Sequence, residues 1–341
     1  MTIENSQMQR QSGVAVESFR NEVIDANRRA QISDMIERPN EVRRLPDTPS
    51  GLRSTMLDKV DGKPTTVHSS PHVRWRQCRH GQMLYMPHDI FIGRSLDLYW
   101  EYSEIETKLF AQLLRPGHVV FEIGANIGCH TVPMTRLIGD GGRVFAFEPQ
   151  RIIHQILCAN IAQNGLFNVW AERKAVGNPD PGQWEFIGVP SVNYAQPGNF
   201  GGVALEPSTP EMVPLVRLDN FEPDPHFIKI DCEGMEIDVI AGAREKIRRC
   251  RPAIYVENDR EEKSVSLISA IMELDYNLYW HLPPLFNTDN LAGNPENVFA
   301  GIVSINMLCL PAEYKIKVDG VRKIESPMSS WKEPHVSRLA N

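Results

Sequence analysis

The stretch Val119-Val120-Phe121-Glu122-Ile123-Gly124-Ala125-Asn126-Ile127-Gly128 decides the fold. Its apolar beginning predicts a buried strand, and the glycines after it predict a tight turn that leads into a helix. In α/β domains such a turn lets the backbone pass close to a ligand held beyond the carboxyl ends of the strands. We therefore expect an α/β fold with a ligand site at this edge of its sheet.

The next predicted strand ends in an acidic residue. Glu148 follows the apolar Val144–Phe147 and lies 20 residues beyond Gly128, where a carboxylate can accept hydrogen bonds from both hydroxyls of an adenosine ribose. A dinucleotide would favour the pattern G-x-G-x-x-G, with its pyrophosphate at the helix N-terminus. Here Asn126 replaces the middle glycine, and Glu122 would repel a pyrophosphate but suits the ammonium of a methionine moiety. The pattern favours S-adenosylmethionine as the cofactor, and a nicotinamide-dependent oxidoreductase is the rival hypothesis.

Strands and helices alternate from residue 103 onwards. This alternation predicts a mostly parallel sheet of seven strands with helices on both faces. The last two strands are joined by Leu282–Val303, which is rich in Pro, Asn and Gly, so an antiparallel last strand is expected. Ser103 and Glu106 form a predicted capping box at the start of the first helix. The predicted strands are 119–123, 143–147, 169–176, 227–230, 253–256, 277–281 and 304–310, and the later helices are 126–137, 151–163, 235–249 and 264–274.

The regions outside this alternation predict three further parts. Residues 1–70 form an N-terminal extension with one amphipathic helix, 14–37, and a Pro-rich linker. This helix could dock on the main domain or make a homo-oligomer. A hairpin, 73–86, leads into the main domain of residues 71–315, and 316–341 form a C-terminal tail.

Composition limits the possible partners and compartments. The formal net charge of −7 over 341 residues argues against a nucleic-acid partner, because a phosphate-binding surface usually carries a basic excess. Apolar runs of membrane-spanning length and a signal-peptide pattern are absent from the sequence, so we expect a cytoplasmic protein with no membrane partner. The six cysteines are scattered, as expected of reduced thiols. Five side chains near the hairpin could bind metal but lack the usual zinc spacing, so no metal is predicted there: His68, His72, Cys78, His80 and His88.

Three motifs resemble those of the FkbM-type methyltransferases. They are FEIGANIGCHT at 121–131, AFEP at 146–149 and IKIDCEGME at 228–236, and the resemblance covers about Asp89 to Pro311. Cys232 stands where the family usually has Val, a change expected to affect packing only. The resemblance implies a Rossmann-like class I methyltransferase fold and S-adenosylmethionine-dependent methylation. The acceptor is commonly a hydroxyl of a sugar, a glycan or a polyketide-like natural product.

The resemblance also implies a set of site residues. Glu148 would hold the ribose, Val176 would lie near the adenine, and Asp231 and Glu233 would stand at the mouth of the site. Tyr102 and Glu104 are expected to close over the methionine end. The expected cofactor-binding residues are therefore Tyr102, Glu104, Glu122, Gly124, Asn126, Gly128, Glu148, Val176 and Asp231.

Methyl transfer to a hydroxyl needs alignment and a group that accepts the proton. Asp231, Glu233 and His281 are the predicted catalytic residues, and His130 is a fourth candidate. Each has a purely structural alternative: Asp231 as a helix cap, Glu233 as a first-turn acid, and the histidines as packed or hydrogen-bonded rings. Asp231 and Glu233 could instead hold a divalent cation, but a third ligand is not evident in the sequence, so no metal is predicted.

The acceptor is expected to contact two irregular stretches, 177–214 and 280–300, which carry aromatic and amide side chains suited to a sugar-like ring. An N-methyltransferase acting on a small molecule remains an alternative, because the cofactor half does not encode the acceptor atom. A methyltransferase-like binding module without catalysis is the other alternative.

Overall fold

The structure of the chain is a computed structural model that describes residues 72–180, 185–316 and 318–332. The predicted helix at 14–37, the rest of the extension 1–70 and the end of the predicted tail lie outside these residues. Among the helices that the structure describes, none has the length and apolar character needed to cross a membrane.

Thirteen strands and seven helices form the described part of the chain. The strands are β1 (Arg74–Cys78), β2 (Gly81–Tyr85), β3 (Val119–Ile123), β4 (Arg143–Phe147), β5 (Val169–Glu172), β6 (Ala175–Val176), β7 (Glu185–Val189), β8 (Glu211–Val216), β9 (Phe227–Ile230), β10 (Ala253–Glu257), β11 (Tyr276–His281), β12 (Asn306–Pro311) and β13 (Arg322–Ile324). The helices are α1 (Ile92–Tyr99), α2 (Glu104–Leu113), α3 (Thr131–Ile138), α4 (Arg151–Gln163), α5 (Glu236–Gly242), α6 (Arg244–Cys250) and α7 (Glu261–Met272).

The central sheet has the strand order β13-β11-β12-β10-β9-β3-β4-β5. The five strands from β10 to β5 pair in parallel, whereas β12 runs antiparallel to both β10 and β11. The α/β fold with a mostly parallel sheet and an antiparallel last long strand is confirmed. The sheet holds one strand more than the predicted seven, because the short β13 pairs with the outer edge of β11.

Side chains of the central strands alternate between two buried faces. Phe121 and Ile228 point into one hydrophobic cluster with helices α5, α6 and α7. Val120 and Phe227, their neighbours along the strands, point into the other cluster with α2, α3 and α4. Burial on both faces explains why these strands are almost continuously apolar. It also makes any polar side chain inside them conspicuous.

Two parts of the chain differ from the predicted strands. The predicted strand 169–176 is two strands, since β5 belongs to the central sheet and β6 pairs in parallel with β8. The strands β6, β8 and β7 form a second, three-stranded sheet. Part of the predicted substrate loop 177–214 is therefore regular structure. The hairpin predicted at 73–86 is present as β1 and β2.

The predicted capping box is wrong. Ser103 has φ 45° and ψ 50°, in the left-handed region, and its side chain makes no capping hydrogen bond. A capping residue needs extended backbone angles to aim its oxygen at the first turn. The Glu106 side chain points into the protein instead and accepts a hydrogen bond from the Asn306 amide at 3.3 Å.

The helix starts also differ from the prediction. Helix α3 begins at Thr131 rather than near Asn126, because Asn126 and Gly128 have φ of 50° and 91°. Positive φ cannot continue a right-handed helix. The predicted helix 235–249 is divided into α5 and α6 at Ala243, and α1 was not predicted.

Candidate active site

A cleft opens at the carboxyl ends of β3, β4 and β9. This position is where open α/β sheets bind ligands. One part of the wall is apolar and another carries charged or amide groups. The apolar lining includes Ile123, Phe147, Val176, Val203, Leu205 and Met235, and the polar lining includes Glu148, Gln150, Lys174, Asp231 and Glu233.

Gly124 allows the ends of β3 and β9 to meet at the base of the cleft. Its φ is 78°, and a Cβ placed on it would lie 1.7 Å from the Asp231 carbonyl oxygen. The Asp231 N–H also donates to the Ile123 carbonyl at 3.0 Å. Any side chain at position 124 would push these strands apart, so the backbone itself forms the floor here.

The Glu148 carboxylate lies in the cleft wall after β4. Its two oxygens accept hydrogen bonds from the backbone N–H groups of Asn126 at 3.0 Å and Gln150 at 2.8 Å. Burial raises the pKa of Glu148 to about 7, although both hydrogen bonds oppose this shift. A carboxylate offers about four acceptor positions, so Glu148 keeps capacity for a hydroxyl pair such as that of a ribose.

Asn126 and the segment Asn199–Gly202 meet above the glycine turn. A Cβ on Gly201 would lie 2.7 Å from the Asn126 side-chain nitrogen. The Gln150 amide donates to the Phe200 carbonyl at 2.8 Å, and Phe200 is buried. This part of the predicted substrate loop therefore packs on the glycine turn, and Gly201 lines the cleft.

Glu122 lies beneath the glycine turn rather than in the cleft wall. Its carboxylate accepts a hydrogen bond from the Thr131 hydroxyl at 2.6 Å and is almost completely buried. Burial raises its pKa to about 7, while Lys229 and Thr131 oppose the shift. The sequence-based expectation of contact with the cofactor ammonium stays a prediction.

Asp231 follows β9 and projects into the cleft, where 40% of its side chain is exposed. Its Oδ2 accepts a hydrogen bond from the Lys229 ammonium at 2.9 Å. Glu233 has a φ of 58° and pairs with Arg260 at 2.7 Å. Burial, followed by repulsion from Asp231, raises the pKa of Glu233 to about 7.

The structure adds a third carboxylate to this pair. Glu257, at the end of β10, can place an oxygen within 4.8 Å of those of Asp231 and Glu233, and this is the one such group found among the described residues. Sequence reasoning found no third ligand, because the adjacency of β9 and β10 is a property of the sheet order. Arg260 already pairs with Glu233, so the group has a protein cation of its own.

A buried polar layer lies behind Asp231, on the face of the sheet that packs against α2 and α3. We use this name for Glu106, Glu122, His130, Lys229 and Asn306, all buried. Burial raises the pKa of Glu106 to about 7 against the attraction of Lys229. Burial lowers the pKa of His130 well below its usual value, so this ring, 3.6 Å from Glu106, is neutral.

The remaining predicted residues lie beside the cleft or away from it. Tyr102 is near the polar layer, with its ring centroid 5.9 Å from that of His130. Glu104 pairs with His80 of the hairpin at 2.5 Å and is not brought to the cleft. His281 bonds through Nδ1 to the Tyr255 hydroxyl at 2.8 Å, and burial lowers its pKa to about 4. A Cβ on Gly128 would lie 2.9 Å from Leu157, so Gly128 serves helix packing.

Residues 122–278 match the family model of the methyltransferase FkbM domain. The chain carries an FkbM methyltransferase domain. The match runs from the end of β3 to the first half of β11 and includes the glycine turn, Glu148 and Asp231. This confirms the resemblance seen in the three motifs and assigns the domain to the S-adenosylmethionine-dependent methyltransferases. No curated protein matches the chain.

Solved structures with a similar chain fold include other methyltransferases. The FkbM methyltransferase from Methylobacillus flagellatus KT is 17% identical over 60% of this chain, with a TM-score of 0.38, and the match covers 50% of that protein. An O-methyltransferase from Thermotoga maritima is 11% identical over 62% of this chain and 67% of its own length, with a TM-score of 0.37. Aeropyrum pernix fibrillarin, solved with bound S-adenosyl-L-methionine, is 11% identical over 72% of this chain and 85% of its own, with a TM-score of 0.38. At these TM-scores the assignment of the FkbM domain depends on the family match and the cleft geometry alone.

Proposed function

We propose that this chain transfers a methyl group from S-adenosylmethionine to a hydroxyl of a sugar, a glycan or another small polar molecule. The observation that carries the proposal is that Glu148 and Asp231 line the same cleft. The Glu148 carboxylate suits a ribose, and the Asp231 carboxylate suits an acceptor hydroxyl that must lose its proton. A glycine turn between them gives both access to one small ligand.

The cleft residues fit the parts of S-adenosylmethionine. The apolar side chains of Val176, Leu205 and Met235 suit an adenine ring. Glu148 has acceptor capacity left for the ribose hydroxyls. Asp231 offers a negative charge for the amino-acid end. When bound, the cofactor supplies an activated methyl group on a positively charged sulfur.

Asp231 is the group best placed to accept the acceptor's proton. It is the catalytic candidate that lines the cleft with a well-exposed carboxylate. Glu233 also lines the cleft, and each of the two carboxylates pairs with a cation, but the Glu233 side chain is only 21% exposed against 40% for Asp231. His281 is neutral at ordinary pH and hydrogen-bonded to Tyr255. A positioned base contributes on the order of 10²–10⁴-fold to such a reaction.

The first test is calorimetric titration of the purified chain with S-adenosylhomocysteine, with NAD as the parallel titrant. Binding of S-adenosylhomocysteine alone, with a Kd on the order of micromolar, is the expected result. Binding of NAD alone would overturn the proposal in favour of an oxidoreductase.

The second test is transfer of a labelled methyl group to a panel of methyl α-glycosides of glucose, mannose and rhamnose, with a methyl glycoside of glucosamine as the amine control. We expect O-methylated products. Exclusive N-methylation of the glucosamine glycoside would support the N-methyltransferase alternative. Cofactor binding with no product from sugars, amines or other small hydroxylated compounds would support a binding module.

A further inference from the structure

Lys229 occupies an unusual place for a lysine. It lies in the middle strand β9, in register with Glu122 of β3 on one side and Tyr255 of β10 on the other. Only 2% of its side chain is exposed. A buried ammonium costs several kcal/mol of solvation in order-of-magnitude terms, so this position calls for a compensating role.

Carboxylates surround the Lys229 ammonium and keep it charged. Burial by itself disfavours the charged form, but attraction by Asp231, Glu122 and Glu106 outweighs burial and raises the pKa of Lys229. The direct hydrogen bond goes to Asp231 Oδ2 at 2.9 Å. Asp231 is therefore the carboxylate that Lys229 holds most closely, and it is the member of the set that reaches the cleft.

We propose that Lys229 is a positioning residue that holds the Asp231 carboxylate in place at the cleft. The proposal rests on the proposed function, in which Asp231 accepts the acceptor's proton. Without Lys229, the exposed Asp231 side chain would be free to turn away from neighbours that repel it. The carboxyl groups that interact electrostatically with Asp231, on the elements packed around it, are Glu106, Glu122, Glu148, Glu233 and Glu257.

A second buried lysine provides a matched control. Lys246 of α6 has a fully buried side chain and pairs with Asp224 at 3.2 Å. Asp224 precedes β9, whereas Asp231 follows it, so the two Lys–Asp pairs lie at opposite ends of the same strand. Lys246→Met removes a buried ion pair of the same kind without touching the cleft.

The test is a double-mutant cycle on kcat with Lys229→Met, Asp231→Asn and the double variant, using the best acceptor of the methyl glycoside panel. If Lys229 acts through Asp231, Lys229→Met lowers kcat by roughly 10²-fold, as Asp231→Asn does. The kcat of the double variant should then lie within about threefold of the kcat of Asp231→Asn, because the effects of coupled residues are not additive. Lys229→Arg keeps the charge and restores most of kcat. Lys246→Met lowers the free energy of unfolding but leaves kcat unchanged.

If the losses of kcat from Lys229→Met and Asp231→Asn multiply in the double variant, the proposal is overturned. A loss of kcat in Lys246→Met as large as that in Lys229→Met would also overturn it. A carboxyl ¹³C NMR spectrum of aspartate-labelled protein gives a readout that does not need activity. The Asp231 resonance, assigned by Asp231→Asn, should shift in Lys229→Met and stay near its wild-type position in Lys229→Arg and Lys246→Met. An unmoved resonance in Lys229→Met would also overturn the proposal. An inactive wild type with the expected resonance shift would count against the proposed function and leave the positioning of Asp231 intact.

Discussion

The Thr131 hydroxyl donates a hydrogen bond of 2.6 Å to the buried Glu122 carboxylate. Thr131 is the first residue of α3 and Glu122 lies in β3, so this bond joins the two elements on either side of the glycine turn. Thr131→Val should lower the free energy of unfolding by about 1–3 kcal/mol, because a buried acceptor loses its hydrogen-bond partner. Chemical denaturation measures the loss, and Thr131→Ser, which keeps the hydroxyl, should recover most of it. Equal losses in both variants would assign the effect to packing.

Glu122→Gln should change how stability depends on pH. The folded pKa of Glu122 is about 7, above the unfolded value of about 4.3. The stabilisation from binding this proton is complete below the unfolded pKa and is lost as the pH rises through about 7. Glutamine cannot ionise, so the variant should gain stability relative to wild type between about pH 5 and pH 8.5. Urea unfolding at both pH values tests this, with the exposed Glu273→Gln as the control. A pH-independent difference would contradict the assignment.

Glu148→Ala should weaken cofactor binding. The carboxylate lines the cleft and is held by two backbone N–H groups, so its loss removes hydrogen bonds to a ligand and leaves those donors without their partner. We expect the Kd for S-adenosylhomocysteine to rise at least about tenfold. Titration calorimetry provides the measurement, and the exposed Glu262→Ala on α7 is the control. An affinity equal to wild type would remove Glu148 from the cofactor site.

Gly124→Ala should prevent the domain from folding, whereas Gly117→Ala should not. Both glycines have positive φ, 78° and 85°, but only at Gly124 would the new Cβ meet backbone, 1.7 Å from the Asp231 carbonyl oxygen. At Gly117 nothing lies within 4 Å, so the cost is the left-handed backbone alone, about 1–2 kcal/mol. Soluble yield and circular dichroism distinguish the two. A folded Gly124→Ala protein would contradict the close approach of β3 and β9.

Asp231→Asn and His281→Asn should differ strongly in turnover. Asp231 reaches the cleft, whereas His281 is hydrogen-bonded to Tyr255 and is not part of the cleft lining. We expect Asp231→Asn to lower kcat by about 10²-fold or more with the fold intact, and His281→Asn to change kcat by less than about fivefold. Initial rates with the best methyl glycoside decide the matter. The opposite ranking would make His281 the base.

The parts of the fold that could be predicted are those with long apolar runs. Strands β3 and β4 have the predicted bounds, because burial on both faces of the sheet makes their sequences almost continuously apolar. The division between β5 and β6 was not predictable, since the chain changes sheets while keeping a strand-like pattern. The start of α3 was missed because positive φ at Asn126 has no signature in a helix-like pattern.

The site was predictable where one motif carries its residues. Gly124, Glu148 and Asp231 follow strands whose carboxyl ends meet, so the sequence places all three at one edge. Lys229 was overlooked although a lysine within the apolar strand FIKI is itself a signal of a buried charge. Glu106 was interpreted as half of a capping box, and its true surroundings depend on how α2 packs on the sheet. The place of Glu257 beside Asp231 and Glu233 could not be predicted without knowing that β9 and β10 are neighbours in the sheet.

The cleft takes its walls from stretches that are far apart in the chain: the ends of β3, β4 and β9 and the segment 201–205. A bound cofactor would act as a non-covalent cross-link among them, and its binding free energy would be added to the stability of the whole domain. At a ligand concentration of 100 times Kd this gain is about 2.7 kcal/mol. We therefore expect protein without cofactor to be the form that cellular proteases degrade first, so that the supply of S-adenosylmethionine would govern the lifetime of the protein as well as its turnover.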